Sequence, residues 1–247
     1  MYWYKPWREL RARMVVASLA IATGCALVVW KEEAFRNFRG ESMTYERYVW
    51  KLLYDTIVRD LFVVLTIVFG CGSLRQERAQ RTLGFTLALP VSRMKATLTR
   101  AWVGYGGVLA MAILPAVVLA LCSPMVGQHY APATALRFSL LYSVAGAAIY
   151  GITFLLTHSL AGEYTAALLA VPALFAYEAV ISLPGLQRLR SLDIIATMTG
   201  EGMPWFDARS GLFVGPLPWA SLGVLAALAA ACVGLAARSV AKVDLHP

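Results

Sequence analysis

Residues 101–122 read AWVGYGGVLAMAILPAVVLALC and contain no charged side chain. At about 1.5 Å per residue, a helix of this length is about 33 Å long, enough for the roughly 30 Å hydrocarbon core of a bilayer. Lipid offers no hydrogen-bond partners to backbone amides, so a segment of this kind crosses a membrane as a helix. The stretch therefore predicts an all-α membrane protein.

The composition of the whole chain agrees with this stretch. Its 247 residues are 59% hydrophobic and 15% charged, with a mean hydropathy of +0.64. Soluble domains are about half apolar and about a quarter charged. Six apolar segments predict six membrane-spanning helices in one transmembrane domain, at about 14–30, 56–74, 101–122, 136–158, 164–183 and 217–237. Because further spans follow the first, we do not expect a removable signal peptide.

Two segments next to the first span carry aromatic side chains. Residues 2–13 combine aromatic and basic residues, which predicts an interfacial helix before the first span; a basic tail is the alternative. The connection at about 31–55 contains Tyr45, Tyr48 and Trp50 and predicts a short helix on the outer surface.

The distribution of basic residues predicts the orientation of the chain. Cytoplasmic flanks of membrane helices are enriched in lysine and arginine. With the N-terminus inside, the cytoplasmic set is the larger one: Lys5, Arg8, Arg11, Arg13, Arg75, Arg78, Arg81, Arg93, Lys95, Arg100, Arg238 and Lys242. We therefore expect both termini in the cytoplasm and the protein in the inner cell membrane. The formal charge of +8 reflects this topology, and no basic patch with stacking aromatics predicts binding to nucleic acid.

The four cysteines lie inside or at the ends of predicted spans, at positions 25, 71, 122 and 232. No two of them are close in sequence, so they form no CxxC metal motif. We expect packing residues, without a disulfide or a bound metal.

The polar connection between the second and third spans contains an unexpected apolar pattern. Residues 75–95 read RQERAQRTLGFTLALPVSRMK. Leu83 and Leu87 are four residues apart, as are Phe85 and Leu89, so a helix would gather them on one side. Such a helix either lies flat on the membrane or contacts a soluble partner.

The end of this connection predicts a sharp corner followed by a second helix. Pro90 ends the first helix, because the residue before a proline is pushed out of the helical region. Ser92 is a good N-cap for the next helix, which runs through Arg93 into the third span.

The same connection resembles the cytoplasmic loop of type-2 ATP-binding-cassette (ABC) exporter permeases. The matching positions are Glu77, Thr82, Leu83, Phe85, Leu87, Leu89, Pro90, Val91, Ser92 and Arg93. The basic chain end with Asp244 and the six-span layout are also similar to the family. Arg81 stands where the family usually has glycine, and Gly84 where it usually has glutamate.

The resemblance implies that this loop is a coupling helix, which docks on a separate ATPase subunit. The implied ATPase contacts are Glu77, Arg81, Leu83, Phe85, Leu87, Pro90, Val91, Ser92 and Arg93. The implied partners are two ABC ATPase subunits, which carry the ATP and Mg, and a second permease subunit. No lysine of this chain follows a glycine, so it has no phosphate-binding loop and we expect no enzyme activity.

Two other functions are compatible with parts of the sequence. KEEAFR, with Glu32, Glu33 and Arg36, and FLLTH, with Phe154 and His158, are similar to motifs of CAAX-type intramembrane proteases. The first spacing is one residue short, and the predicted topology puts the two motifs on opposite sides of the membrane. A non-transport assembly or sensor module with the same layout is the other alternative.

Four charged residues lie near membrane depth: Arg59 and Asp60 begin the second predicted span, Glu163 begins the fifth, and Glu178 lies late in the fifth. Glu178 is in the fifth span, where charged residues are costly and often functional. It is either an interface anchor or part of the outer translocation path.

Overall fold

Long helices account for most of the chain in the computed structural model, which describes residues 4–31, 44–71, 92–160, 165–181 and 192–242. In chain order the helices are α1 (Tyr4–Trp30), α2 (Tyr45–Tyr48), α3 (Arg59–Gly70), α4 (Arg93–Cys122), α5 (Pro132–Ser159), α6 (Thr165–Ile181), α7 (Ile194–Thr199) and α8 (Trp219–Lys242). A π-helical segment, Val49–Val58, joins α2 to α3 without a break, and a 3₁₀ turn, Ser123–Val126, follows α4. The short strands β1 (Phe206–Asp207) and β2 (Leu212–Phe213) pair in an antiparallel hairpin.

Within the described ranges, four helical segments are long and apolar enough to cross a membrane: Pro6–Trp30, Met94–Val126, Pro132–Ser159 and Trp219–Val240. This finding confirms a helical, membrane-embedded protein. The shorter apolar segment Leu168–Ile181 lies in α6, where the fifth span is predicted. The second predicted span overlaps α3.

Helix α5 is at the centre of the bundle. In its most apolar stretch 67% of the residues are buried, against 28–39% in the other three candidate spans. The helical run 45–70 lies beside it in the same direction. The Tyr54 ring stacks on Phe138 with centroids 4.2 Å apart, and the Phe62 ring packs on Tyr142 at 5.1 Å.

Helix α4 packs on α5 in the opposite direction, with glycines at the crossings. A Cβ added to Gly104 would lie 2.3 Å from the Tyr150 hydroxyl oxygen, and one added to Gly146 would lie 2.9 Å from Val108. Small residues of this kind let membrane helices approach closely.

The bundle has two ends that are built from different parts of the chain. The N-terminal end contains the first turns of α1, the last turns of α3, α5 and α8, and the start of α4. The cap end contains the end of α1, the segment 45–55, the end of α4, the start of α5 and residues 192–217. Contacts define both groupings: an Arg13 nitrogen is 2.9 Å from the Cys71 carbonyl oxygen, whereas the Tyr48 hydroxyl donates to the Val28 carbonyl at 2.7 Å.

The prediction of a surface helix at about 31–55 is wrong for its described part. Tyr45, Tyr48 and Trp50 are buried, and they begin a helical run that continues to Gly70. Each polar tip has a partner from a distant segment, because buried tyrosine and tryptophan need one. The Tyr45 hydroxyl bonds to that of Ser123 at 2.8 Å, and the Trp50 indole donates to the Thr199 carbonyl at 2.8 Å.

Two further differences concern α1 and the hairpin. Residues 4–30 form one uninterrupted helix, so no boundary separates the predicted interfacial helix from the first span. The all-α prediction omitted β1 and β2, because two-residue strands are too short to show an alternating pattern. The hairpin turn contains Gly211 at φ +73°, and a Cβ there would lie 2.7 Å from the Arg47 Cα. Hydrogen bonds from the Arg209 N–H and the Ser210 hydroxyl lower the pKa of Asp207 in this turn.

Candidate functional site

Most of the predicted coupling helix lies outside the described residues, namely Glu77, Arg81, Leu83, Phe85, Leu87, Pro90 and Val91. The structure begins again at Ser92, which is the N-cap of α4. Its backbone is extended, with ψ at 142°, and its Oγ accepts the Lys95 N–H at 3.3 Å. Helix α4 then continues from Arg93 to Cys122. The predicted N-cap at Ser92 and the helix that follows it are confirmed, whereas the predicted corner at Pro90 lies outside the described residues.

Glu178 lines a cavity of about 530 Å³ at the cap end. The cavity lies between the start of α3, the last turns of α6, and α7 with its flanking residues. Its lining residues are Arg59, Phe175, Glu178, Ala179, Asp193, Ile195, Ala196, Thr199 and Glu201. Glu178 and Arg59, which the sequence indicated separately as charges near membrane depth, therefore belong to one site.

A network of ion pairs includes two residues of the cavity lining, Arg59 and Glu201. Asp55 is only 3% exposed, and its carboxylate lies 2.5 Å from Lys51 Nζ and 3.5 Å from Arg59 Nη1. Lys51 also reaches Glu201 at 3.7 Å, and Arg59 Nε contacts Asp60 at 2.9 Å. Burial raises the pKa of Asp55, while the hydrogen bond from Lys51 acts in the opposite direction.

Carboxylates outnumber cations among the described residues of this site. The charged lining residues and their ion-pair partners comprise the cations Lys51 and Arg59 and the carboxylates of Asp55, Asp60, Glu178, Asp193 and Glu201. Asp193 is also a helix cap, because its Oδ1 accepts the Ala196 N–H at 2.9 Å. The cavity thus offers carboxylates, a guanidinium group and the exposed ring of Phe175, which suits recognition of a charged or amphiphilic molecule.

Lys51 and Asp55 of this network lie in the π-helical segment Val49–Val58. Segments of this kind are rare and occur frequently at functional sites. The wider turn is visible in the bond from the Thr56 hydroxyl to the Lys51 carbonyl, at 2.9 Å. Sequence reasoning missed Lys51 and Asp55, since neither lies in a predicted span and the segment VWKLLYDTIV contains no glycine or proline.

The residues of the protease alternative are only partly described. Glu32, Glu33 and Arg36 lie outside the described residues. His158 is buried at the N-terminal end, and its Nδ1 lies 2.8 Å from the Phe154 carbonyl oxygen. Across the described ranges, no group of three or more histidine, cysteine, aspartate or glutamate side chains is arranged to hold a metal ion. The four cysteines are free thiols in this structure.

Known proteins add no further assignment. The chain matches no protein-family model, and no curated protein matches it. Its function is therefore inferred from its own residues: the segment that precedes α4, and the charged cavity at the cap end.

Proposed function

We propose that this chain is the transmembrane permease subunit of an ATP-driven ABC exporter. The observation that carries the proposal is the segment from Glu77 to Arg93, whose sequence resembles the coupling helix of type-2 exporter permeases. It is followed directly by a helix that Ser92 caps and that enters an apolar stretch of membrane-spanning length. In such a layout, a movement of the loop is transmitted through α4 into the helical bundle.

In the proposed topology the chain crosses the inner cell membrane six times, with both termini in the cytoplasm. The N-terminal end is then cytoplasmic and the cap end faces outward. The charges support this orientation, because the exposed cations described at the N-terminal end, Arg8, Arg11, Arg13, Lys95 and Arg238, outnumber those described at the cap end, Lys31, Arg137 and Arg209. The cap end contains the excess of carboxylates described above.

The proposed partners follow from the division of labour in such exporters. Two ABC ATPase subunits bind ATP and Mg, and a second permease subunit, identical or a sister, completes the pathway. Phe85, Leu87, Pro90, Val91 and Arg93 contact the ATPase in this scheme. Closure of the ATPase dimer then moves the helices that flank the loop.

The cavity that contains Glu178 is the proposed outer part of the translocation path. Its mixture of carboxylates, a guanidinium and an aromatic ring fits an amphiphilic cargo better than a bare inorganic ion. Replacing Glu178 with glutamine removes one charge at nearly constant volume. We expect lower transport with unchanged assembly, and unaltered transport would exclude Glu178 from the path.

Co-purification and hydrolysis test the proposal as a whole. The wild-type chain is expressed with its native partners, purified, and assayed in vesicles for substrate-stimulated ATP hydrolysis. Phe85→Asp is expected to abolish ATPase co-purification or stimulated hydrolysis, because it puts a charge at an apolar contact. Phe38→Asp, in the connection predicted on the opposite side of the membrane, is the matched control. If Phe85→Asp retains both ATPase co-purification and stimulated hydrolysis, the assignment of the coupling helix is wrong. If the wild-type complex forms but does not transport, the assembly or sensor module is favoured.

A further inference from the structure

The junction between α3 and residues 72–91 is held by side chains from two other helices. Helix α3 ends at Gly70, and Cys71 leaves it in an extended conformation with ψ at 96°. Arg13 Nη1 of α1 donates to the Cys71 carbonyl at 2.9 Å and lies 3.4 Å from the Val68 carbonyl oxygen. The Thr157 hydroxyl of α5 lies 3.3 Å from the Gly70 carbonyl oxygen and shares its one proton with the Thr153 carbonyl of its own helix, at 2.8 Å.

These contacts satisfy groups that a helix end leaves without partners. The last carbonyls of an α-helix have no intrahelical donor, and they carry the negative end of the helix dipole. A guanidinium group suits this position, because it is always charged and has several N–H donors. The fit of α3 on α5 is also close, since a Cβ on Gly70 would lie 2.7 Å from the Thr153 Cβ.

Helix α1 is therefore connected to both sides of the segment 72–91. On one side, Arg13 binds the chain at Cys71, the last described residue before the segment. On the other side, α4 starts directly after Ser92 and packs along α1. Because α1 is unbroken from Tyr4 to Trp30, a displacement of either flank is transmitted to the whole helix.

We propose that Arg13 is a positioning residue that fixes the exit of α3 to α1, so that α1 moves with the coupling segment. The contact itself stands on the geometry above, whereas its role in coupling rests on the proposed function. Arg13 would act through the backbone at Cys71 and would touch neither ATP nor cargo. Sequence reasoning had counted Arg13 only among the cytoplasmic basic residues.

Hydrogen–deuterium exchange of the purified full-length chain tests the contact without any assay of function. Arg13→Gln removes the positive charge and the guanidinium N–H donors. We expect roughly fivefold faster amide exchange in a peptide covering residues 67–71. Arg13→Lys, which keeps the charge, should fall between the two. Exchange in residues 219–240 should not change.

Arg11→Gln is the matched control for this experiment. Arg11 is an exposed arginine of the same helix and makes no polar contact with the part of the chain that the structure describes. Wild-type exchange at 67–71 in Arg13→Gln, or an equal acceleration in Arg11→Gln, overturns the assignment of the contact.

The coupling role is tested in the complex with the ATPase. Arg13→Gln should still co-purify with the ATPase but lose most of its substrate-stimulated hydrolysis, with basal hydrolysis unchanged and partial rescue by Arg13→Lys. Full stimulation in Arg13→Gln overturns the coupling role. If the wild-type chain binds no ATPase, the proposed function and the coupling role both fall, and the exchange experiment alone decides the contact.

Discussion

The cap end and the N-terminal end of this bundle are held together by different kinds of interaction. At the cap end, aromatic rings from four segments pack on one another around Phe138 and Phe206, and a buried ion-pair network lies beside them. Among the described residues of the N-terminal end, rings pack within α5, where Phe154 lies between Tyr150 and His158. The contacts there that join different segments include hydrogen bonds between single side chains and the ends of helices, such as that of Arg13 with the Cys71 carbonyl.

The comparison indicates which end can change shape more easily. Burying large aromatic side chains stabilises by several kcal/mol, whereas one helix cap contributes about 1 kcal/mol. Breaking the Arg13 contact or the Ser92 cap therefore costs less than opening the ring cluster of the cap end. In the proposed exporter, this difference would let the cytoplasmic side follow the ATPase while the outer end holds its geometry.

The largest expected effect is that of removing the ring of Phe138. This residue is 0% exposed and contacts Tyr54 at 4.2 Å, Phe213 at 4.9 Å and Phe206 at 5.6 Å, so it joins α5, the π-helical segment and the hairpin. We expect Phe138→Ala to destabilise the protein by about 3–5 kcal/mol. At about 2–4 °C per kcal/mol for a chain of this size, Tm should fall by about 6–20 °C in detergent, followed by tryptophan fluorescence.

Phe175→Ala is the control for this prediction. The Phe175 side chain is 67% exposed, so the same truncation should change stability by less than about 0.5 kcal/mol. Equal losses in the two variants would mean that the ring cluster does not hold the cap end together.

An intermediate effect is expected where the middle of α4 packs on the last turn of α3. Gly107 and Gly106 are neighbours in α4, but a Cβ on Gly107 would lie 2.4 Å from the Phe69 ring, whereas one on Gly106 meets nothing within 4 Å. Gly107→Ala should cost about 1–3 kcal/mol through overpacking, measured by the same thermal unfolding. Gly106→Ala should cost nothing, since alanine has the higher helix propensity. A loss at Gly106 that matches the loss at Gly107 would exclude close packing as the cause.

The sequence predicted those parts of the structure that depend on local patterns. Long apolar runs predicted the four candidate spans, and proline followed by serine predicted the cap at Ser92. The parts that it missed depend on partners far along the chain. Trp50 is buried, and its indole donates a hydrogen bond to the distant Thr199 carbonyl. Asp55 is also buried, and it pairs with Lys51 in the π-helical segment. The sequence alone does not distinguish Arg13 from the other cytoplasmic arginines, because its contact with the Cys71 carbonyl is formed only in the folded chain.

The smallest expected effects compare one helix cap at each end. At the N-terminal end, Ser92 is exposed and its Oγ accepts the Lys95 N–H at 3.3 Å; at the cap end, Asp193 is buried and accepts the Ala196 N–H at 2.9 Å. Replacing an N-cap residue with alanine lowers the free energy of unfolding by about 0.5–2 kcal/mol. We expect a loss near the lower limit for Ser92→Ala and near the upper limit for Asp193→Ala. Ser92→Asp, which retains an acceptor, should restore stability, and Asp193→Asn separates the loss of the cap from the loss of charge. Equal losses of stability at the two positions would contradict the difference between the ends. Water can replace the lost acceptor at the exposed cap, whereas a buried N–H group would be left without a partner.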